Sequence, residues 1–169
     1  MKITSVDVFE CPGTRYAWVF LRLHTDEGIY GVGQASSGPG SSMVAAAARK
    51  LDQWLIGEDP TRIEHLNSKL YKLFSSIGSR GFISALISGV DIAMWDIKGR
   101  ALNVPVYNLL GGKTRDTIPV YASSMRRDLT PIEEGRRAAS LVEEGYTTYK
   151  LHSAFPGSID DTADETIDT

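Results

Sequence analysis

The segment Phe82–Leu102 constrains the fold more than any other part of the sequence. Its apolar residues Phe82, Ile83, Leu86, Ile87, Val90, Ala93, Met94 and Ile97 recur at helical spacing but lie almost all round the axis. A helix without a broad polar face has to be buried on most sides. The chain must therefore surround it with a sheet, with other helices, or with both. Asp91 and Asp96 interrupt the apolar run, so no membrane span is implied. At 42% hydrophobic and 23% charged residues, the 169-residue chain has the material for such a core and reads as one or two globular domains.

The segments before this helix supply its covering. Ile3, Val6, Val8 and Phe9 form an imperfect alternating strand ending at Cys11-Pro12-Gly13. Residues 16–25 are a second strand, rich in aromatic and β-branched side chains. Asp26-Glu27-Gly28 is a turn, and Ile29–Ala35 returns as a third strand, so 16–35 reads as a hairpin. Ser36–Ser42 is a polar loop without periodicity. Met43–Ile56 is expected as one helix, ending at Gly57-Glu58-Asp59-Pro60. Thr61 is expected to cap another, running to about Phe74.

The class of the pattern changes at about residue 117. Strand Ile118–Ala122, loop 123–130, helix Pro131–Glu144 and strand Tyr146–His152 make a parallel β-α-β unit. Pro131 in the first helical turn and Gly145 just past the last fit the usual asymmetry of helix ends. Two parallel strands cannot bury both faces of a sheet, so this unit reads as the start of something larger. The tail 157–169 is acidic and nearly devoid of large apolar residues.

Composition excludes several functions. A net charge of −3 and only paired basic residues (Arg126-Arg127, Arg136-Arg137) give no case for nucleic acid or an anionic membrane. The single cysteine, Cys11, allows no intramolecular disulfide and no zinc site of its own, and is read as a packing or turn position. Met1-Lys2-Ile3-Thr4 opens no signal-peptide core, which makes the cytoplasm the default location.

The run Ser88-Gly89-Val90-Asp91-Ile92-Ala93-Met94-Trp95-Asp96-Ile97-Lys98-Gly99-Arg100, followed by Pro105-Val106-Tyr107-Asn108-Leu109-Leu110-Gly111-Gly112, resembles the long signature of the mandelate racemase/muconate lactonizing enzyme family of the enolase superfamily. Leu86 and Met94 depart from its usual small or Leu/Ala residues, both as apolar exchanges. Gly31-Val32-Gly33-Gln34 has Gln where Glu is common. The resemblance implies an α+β capping domain, a three-stranded antiparallel sheet plus helices, over 1–116. It implies the start of a (β/α)7β TIM-like barrel over 117–169, incomplete in this chain. Residues 120–123 then resemble the first barrel strand and 145–152 the second.

Family members often carry Lys-x-Lys at the end of that second strand, where this chain has Lys150-Leu151-His152. Strand alternation puts Lys150 and His152 on one face and Leu151 on the other, toward the covering helix. Active sites of such barrels sit at the C-terminal ends of the strands. Lys150 then neutralises a substrate carboxylate. His152, from a residue type with an ordinary pKa of ~6.5, either moves a proton or hydrogen-bonds a substrate hydroxyl. Ser123 and Ser124, at the end of the first strand, either touch substrate or bond within their loop. The 12–16 and 36–42 loops resemble the family's two substrate-covering loops, with Arg15, Tyr16 and Trp18 as contacts or as hairpin packing. Asp91 and Asp96, five apart on a helix, do not converge, and Asp96 is placed to pair with Arg100.

The family's three Asp/Glu metal ligands come from later barrel strands, so a Mg2+ ion is expected with its ligands beyond residue 169 and none in this chain. The resemblance thus implies abstraction of the proton α to a carboxylate, with a small carboxylate such as an acid sugar as substrate. His152 in place of the second Lys favours acid-sugar dehydration. The alternatives are a racemase, epimerase or cycloisomerase of the same family and, from another class, a truncated non-catalytic or binding protein. The chain by itself is expected to be inactive, and the complete protein to be a homo-oligomer.

Overall fold

A computed structural model of the protein describes residues 1–13, 16–36, 38–78, 80–124 and 129–151. The chain divides into two compact units, Met1–Lys113 and Thr114–Thr169.

The first unit opens with β1 (Ile3–Cys11), β2 (Trp18–Thr25) and β3 (Tyr30–Gln34), an antiparallel sheet in the order β1-β2-β3. In β2, Val19, Leu21, Leu23 and Thr25 are buried while the residues between them are not, the period-two pattern of a strand with one covered face. The imperfect alternation of β1 has a cause that the sequence hides. The register shifts between Ile3, opposite Thr25, and Ser5, opposite His24. This irregularity lets Ile3, Val6 and Val8 all reach the core and turns Phe9 to the open face. Cys11, opposite Trp18, is exposed and not a packing position.

Helices cover the other face. The expected single helix over 43–56 is two, α1 (Ser41–Ala48) and α2 (Asp52–Leu55), following a 3-10 turn at Gly38–Gly40. Lys50 N donates to Ala47 O and Leu51 N to Ala48 O, three-residue bonds that tighten the chain between the two helices. No Pro or Gly stands at the break, so it comes from packing. Val44, Ala48, Leu51 and Leu55 are all buried, and Trp54 meets Phe74 edge-on at 5.7 Å. Thr61 is not the cap of α3 (Ile63–Leu73). Asp59 Oδ1 accepts from both Thr61 N (2.9 Å) and Thr61 Oγ1 (2.8 Å), and Arg62 takes the cap position with no side-chain bond. These two bonds, the backbone one first, hold the Asp59 carboxyl below the usual range.

The apolar helix α4 (Phe82–Ala101) lies against the sheet, and α5 (Val106–Leu109) follows it. Contact with β3 is backbone to backbone. A Cβ on Gly31 would stand 2.1 Å from Ala93 O, and one on Gly33 1.9 Å from Gly89 O. Two glycines one residue apart on the inner face of β3 are what allow the helix so close. Gln34, the next residue, is exposed. Every buried hydrophobic among the described residues lies in this unit.

The second unit contains β4 (Ala122–Ser123), α6 (Pro131–Glu143) and β5 (Tyr149–Lys150), with β4 and β5 parallel. Helix α6 begins where expected, and Thr130 and Glu133 form a reciprocal capping box. The strands are shorter than the expected 118–122 and 146–152. Each has one neighbour in a two-stranded sheet, and Ile118 and Val120 stay exposed. Among the described residues no helix is long and apolar enough to cross a membrane.

Candidate active site

Lys150 is placed by the ladder between β4 and β5. Ser123 is its register partner, Ala122 N donates to Thr148 O at 3.1 Å, and Ser124 N donates to Lys150 O at 2.9 Å. The neighbouring Tyr149 hydroxyl donates to Glu134 Oε2 on α6. Tyr149 therefore faces α6, and alternation turns Lys150 to the opposite face. Paired residues of parallel strands share a face, so Ser123 stands beside Lys150 there. Ser124 falls on the α6 side and is 1% exposed. The structure thus joins one of the two serines to Lys150 and separates the other. Leu151 is half exposed, and it is Tyr149 that makes the bond to the covering helix. His152 lies outside the described residues.

Glu134 has no mark in the sequence beyond its place in the first turn of a helix. Its pairing with Tyr149 spans fifteen residues, and only the fold of the strand-helix-strand unit reveals it. The capping box left a readable trace, Thr130-x-x-Glu133 before the helix.

In the first unit, the two loops expected near substrate meet. Val19 N donates to Ser36 Oγ at 2.9 Å and Ala35 N to Val19 O at 2.8 Å, which fixes the base of the second loop against β2. Tyr16 is exposed, and a Cβ at Gly38 would lie 3.8 Å from its ring, so the tyrosine stands against the second loop. Trp18 is half exposed, its indole Nε1 3.1 Å from where a Cβ on Gly13 would be. The loop backbone thus runs along the indole, which gives Trp18 a packing role whatever else it touches. Arg15 lies outside the described residues.

The helical aspartates do not form a pair. Asp91 accepts from Asn67 Nδ2 at 2.7 Å, and burial pushes its carboxyl above the ordinary range against that bond. Asp96 accepts from Arg100 Nε at 3.0 Å, the expected pairing, and from Val32 N at 3.0 Å, tying α4 to β3. Among the described residues no three or more His, Cys, Asp or Glu are grouped so as to hold a metal ion.

The N-terminal domain of the mandelate racemase/muconate lactonizing enzyme family matches residues 12–111. The chain is 42% identical over 152 residues to a D-galactonate dehydratase of Pectobacterium atrosepticum, covering 90% of this chain and 38% of that protein. Among solved structures it resembles a member of the enolase superfamily from Salmonella Typhimurium. There the TM-score is 0.80 with 40% identity, covering 89% of this chain and 42% of the other. It also resembles an enolase from Pantoea ananatis with bound d-gluconate and Mg, with TM-score 0.78 and 32% identity, covering 90% and 36%. The chain therefore spans well under half the length of these relatives. With the family's N-terminal domain matched over residues 12–111 and 40% identity to a solved member of the superfamily at a TM-score of 0.80, the chain belongs to the mandelate racemase/muconate lactonizing enzyme family of the enolase superfamily.

Proposed function

We propose that the protein containing this chain dehydrates an acid sugar. A base takes the proton next to the carboxylate, the C–O bond at the β-carbon breaks, and hydroxide leaves as water after gaining a proton. The enol product then tautomerises to a 2-keto acid. The observation that carries this reading is Lys150 at the end of β5, beside Ser123 on the face turned away from α6. An ammonium there holds the carboxylate and offsets the charge that develops when the α-proton leaves. Ser123 hydrogen-bonds the substrate, and His152 either moves a proton or binds a hydroxyl. Ser124, buried on the other side, orders the loop. Arg15, Tyr16 and Trp18 are assigned as substrate contacts from the covering loops. The likeness to a D-galactonate dehydratase and to a structure with bound d-gluconate supports an acid sugar as substrate.

Bound Mg2+ supplies divalent charge that lowers the cost of building charge on the carboxylate. The described residues do not fit a metal site, so its ligands are assigned to the part of the family fold that this chain does not match, and no step here runs through it. We read 1–116 as the capping domain and 117–169 as the opening of the barrel, in a homo-oligomeric, cytoplasmic enzyme.

The test uses protein extended to the length of the relatives, supplied with D-galactonate and other acid sugars, with appearance of the 2-keto acid as readout. Lys150→Ala is expected to lower kcat/KM by about 10²-fold or more, the scale of losing one positioned charge stabiliser. Undiminished turnover in that variant removes Lys150 from the mechanism. Epimerised product with no dehydration of any acid sugar moves the reading to a racemase or epimerase. The 169-residue chain alone is expected to show no turnover.

A further inference from the structure

Residues 65–90 contain no Asp or Glu, although the chain as a whole carries 21 acidic residues against 18 basic ones. The cations of that stretch are consequently short of local partners. Lys69 finds one at a distance, donating to Glu58 Oε1 at 2.6 Å and to Trp54 O at 2.7 Å. Lys72 and Arg80 make no ion pair among the described residues, and both are exposed.

These two cations line the same cavity. It measures about 550 Å³ and is bounded by Tyr71, Lys72 and Ser75 at the end of α3 and by Gly78 and Arg80 of the segment leading into α4. Gly78 has φ +98°, a left-handed conformation that L side chains rarely adopt, and a Cβ there would meet nothing within 4 Å. Glycine is needed for the turn of the backbone, not for room, and the turn brings Arg80 to the same cavity as Lys72. The Ser75 hydroxyl donates to Lys72 O at 2.8 Å, leaving its oxygen without a proton for a ligand. The donors left are the Lys72 ammonium, the Arg80 guanidinium and the Tyr71 hydroxyl.

Among the described residues the site has two unmatched cations, a phenol and no carboxylate in its lining, which suits a compact dianion with several acceptor oxygens. A single carboxylate would leave one cation unmatched. A phosphate monoester carries ≈ −1.5 to −2 charge near neutrality and three terminal oxygens, enough to meet a guanidinium fork, an ammonium and a hydroxyl together. The cavity exceeds a bare phosphate and falls within the ~300–1,000 Å³ range of small-molecule sites, with the exposed Tyr71 ring as a flat wall for an organic remainder. We propose that the cavity between the end of α3 and the start of α4 binds the phosphate monoester group of a small organic molecule, held by Lys72, Arg80 and Tyr71.

Titration calorimetry on the 169-residue chain, at low salt and again with added NaCl, tests this without any turnover, so its outcome is independent of the role given to Lys150. Phenyl phosphate is expected to bind with a Kd of about 1 mM or tighter, and more weakly as NaCl is raised. The double variant Lys72→Gln/Arg80→Gln is expected to weaken binding at least about tenfold, the loss of roughly 1.4 kcal/mol. Both residues are exposed, and an unchanged thermal melt confirms the fold. Gluconate, a monocarboxylate, is expected not to bind there. Flotation with phosphatidylcholine vesicles with and without phosphatidic acid separates the sources of the group. Retention on phosphatidic acid that the double variant loses assigns it to a lipid headgroup, and no retention assigns it to a soluble ester. The proposal is overturned if neither phenyl phosphate nor phosphatidic acid binds. It is equally overturned if the double variant binds as well as the original, or if gluconate competes on equal terms.

Discussion

A methyl group on Gly33 has nowhere to go. Its nearest neighbours would be Gly89 O at 1.9 Å and Ala93 N at 2.9 Å, both backbone atoms of α4, which cannot swing aside as a side chain would. Gly33→Ala therefore forces the whole helix away from β3 and loosens the buried residues packed between them. The expected cost is about 2–3 kcal/mol, the upper range for overpacking a core. A fall in the urea midpoint without a change in m is the measurement that checks it. A variant as stable as the original would mean that α4 does not lie on β3 at this distance. Gly135 on α6 is the contrasting case, because a Cβ there meets nothing within 4 Å and the residue sits inside a helix. The same substitution at two glycines thus acts through opposite physics, collision in one and backbone entropy in the other. Polar residues of the first unit act more weakly. The Arg22 bond and then the His24 bond hold Asp7 below the usual carboxylate range, but the group is largely open to water and the pair is screened.

Among the elements, α6 carries the sharpest local signal and the least tertiary support. Thr130 Oγ1 accepts from Glu133 N, while Glu133 Oε2 accepts from Thr130 N at 2.8 Å, so both ends of the box are closed. No α6 residue is buried among those described, which leaves capping as a large share of what holds its first turn. Thr130→Ala is expected to cost about 1 kcal/mol, seen as faster amide exchange in the first turn of α6 and lower helicity. Unchanged exchange would show that the first turn does not rest on the box. The same contrast between local and tertiary causes explains what could be read from sequence. Helix α4 was legible because its apolar residues leave no polar side, and the hairpin because Asp26-Glu27-Gly28 separates two strand patterns. The break at 49–51 was not, since the run Ala45–Ala48 favours helix up to it, no Pro or Gly marks it, and only the packing of Leu51, Trp54 and Leu55 sets it. Thr61 misled because it lies in a turn closed by Asp59, which accepts from its N–H and its hydroxyl, and the helix starts one residue later with Arg62 at the cap position. At the candidate site, alternation alone put Lys150 on a face, but that Ser123 shares it and Ser124 does not depends on a register no single sequence states.

On the scale of the whole chain, burial is shared very unequally. The first unit holds a continuous core from Ile3 to Ile97 around α4. In the second, the described residues bury only Ser124, while Ile118, Val120, Ile132 and Val142 are each more than 60% exposed. Local stability follows apolar burial and contact density, so the two units open with very different free energies. Exposed apolar residues on both the segment leading into β4 and helix α6 are what a barrel opening needs, since further strands and helices would cover them. The expected outcome in the 169-residue chain is therefore slow hydrogen exchange at Leu21, Leu23, Ala93 and Ile97. Residues of α6 and β5 are expected to exchange at least about a hundredfold faster. Lengthening the protein to the span of its relatives is expected to raise protection in α6 and β5 and to leave the first unit nearly unchanged. If α6 is as protected as α4 in the short chain, the second unit has found a core of its own, and its exposed side chains are a functional surface, not an unfinished interior.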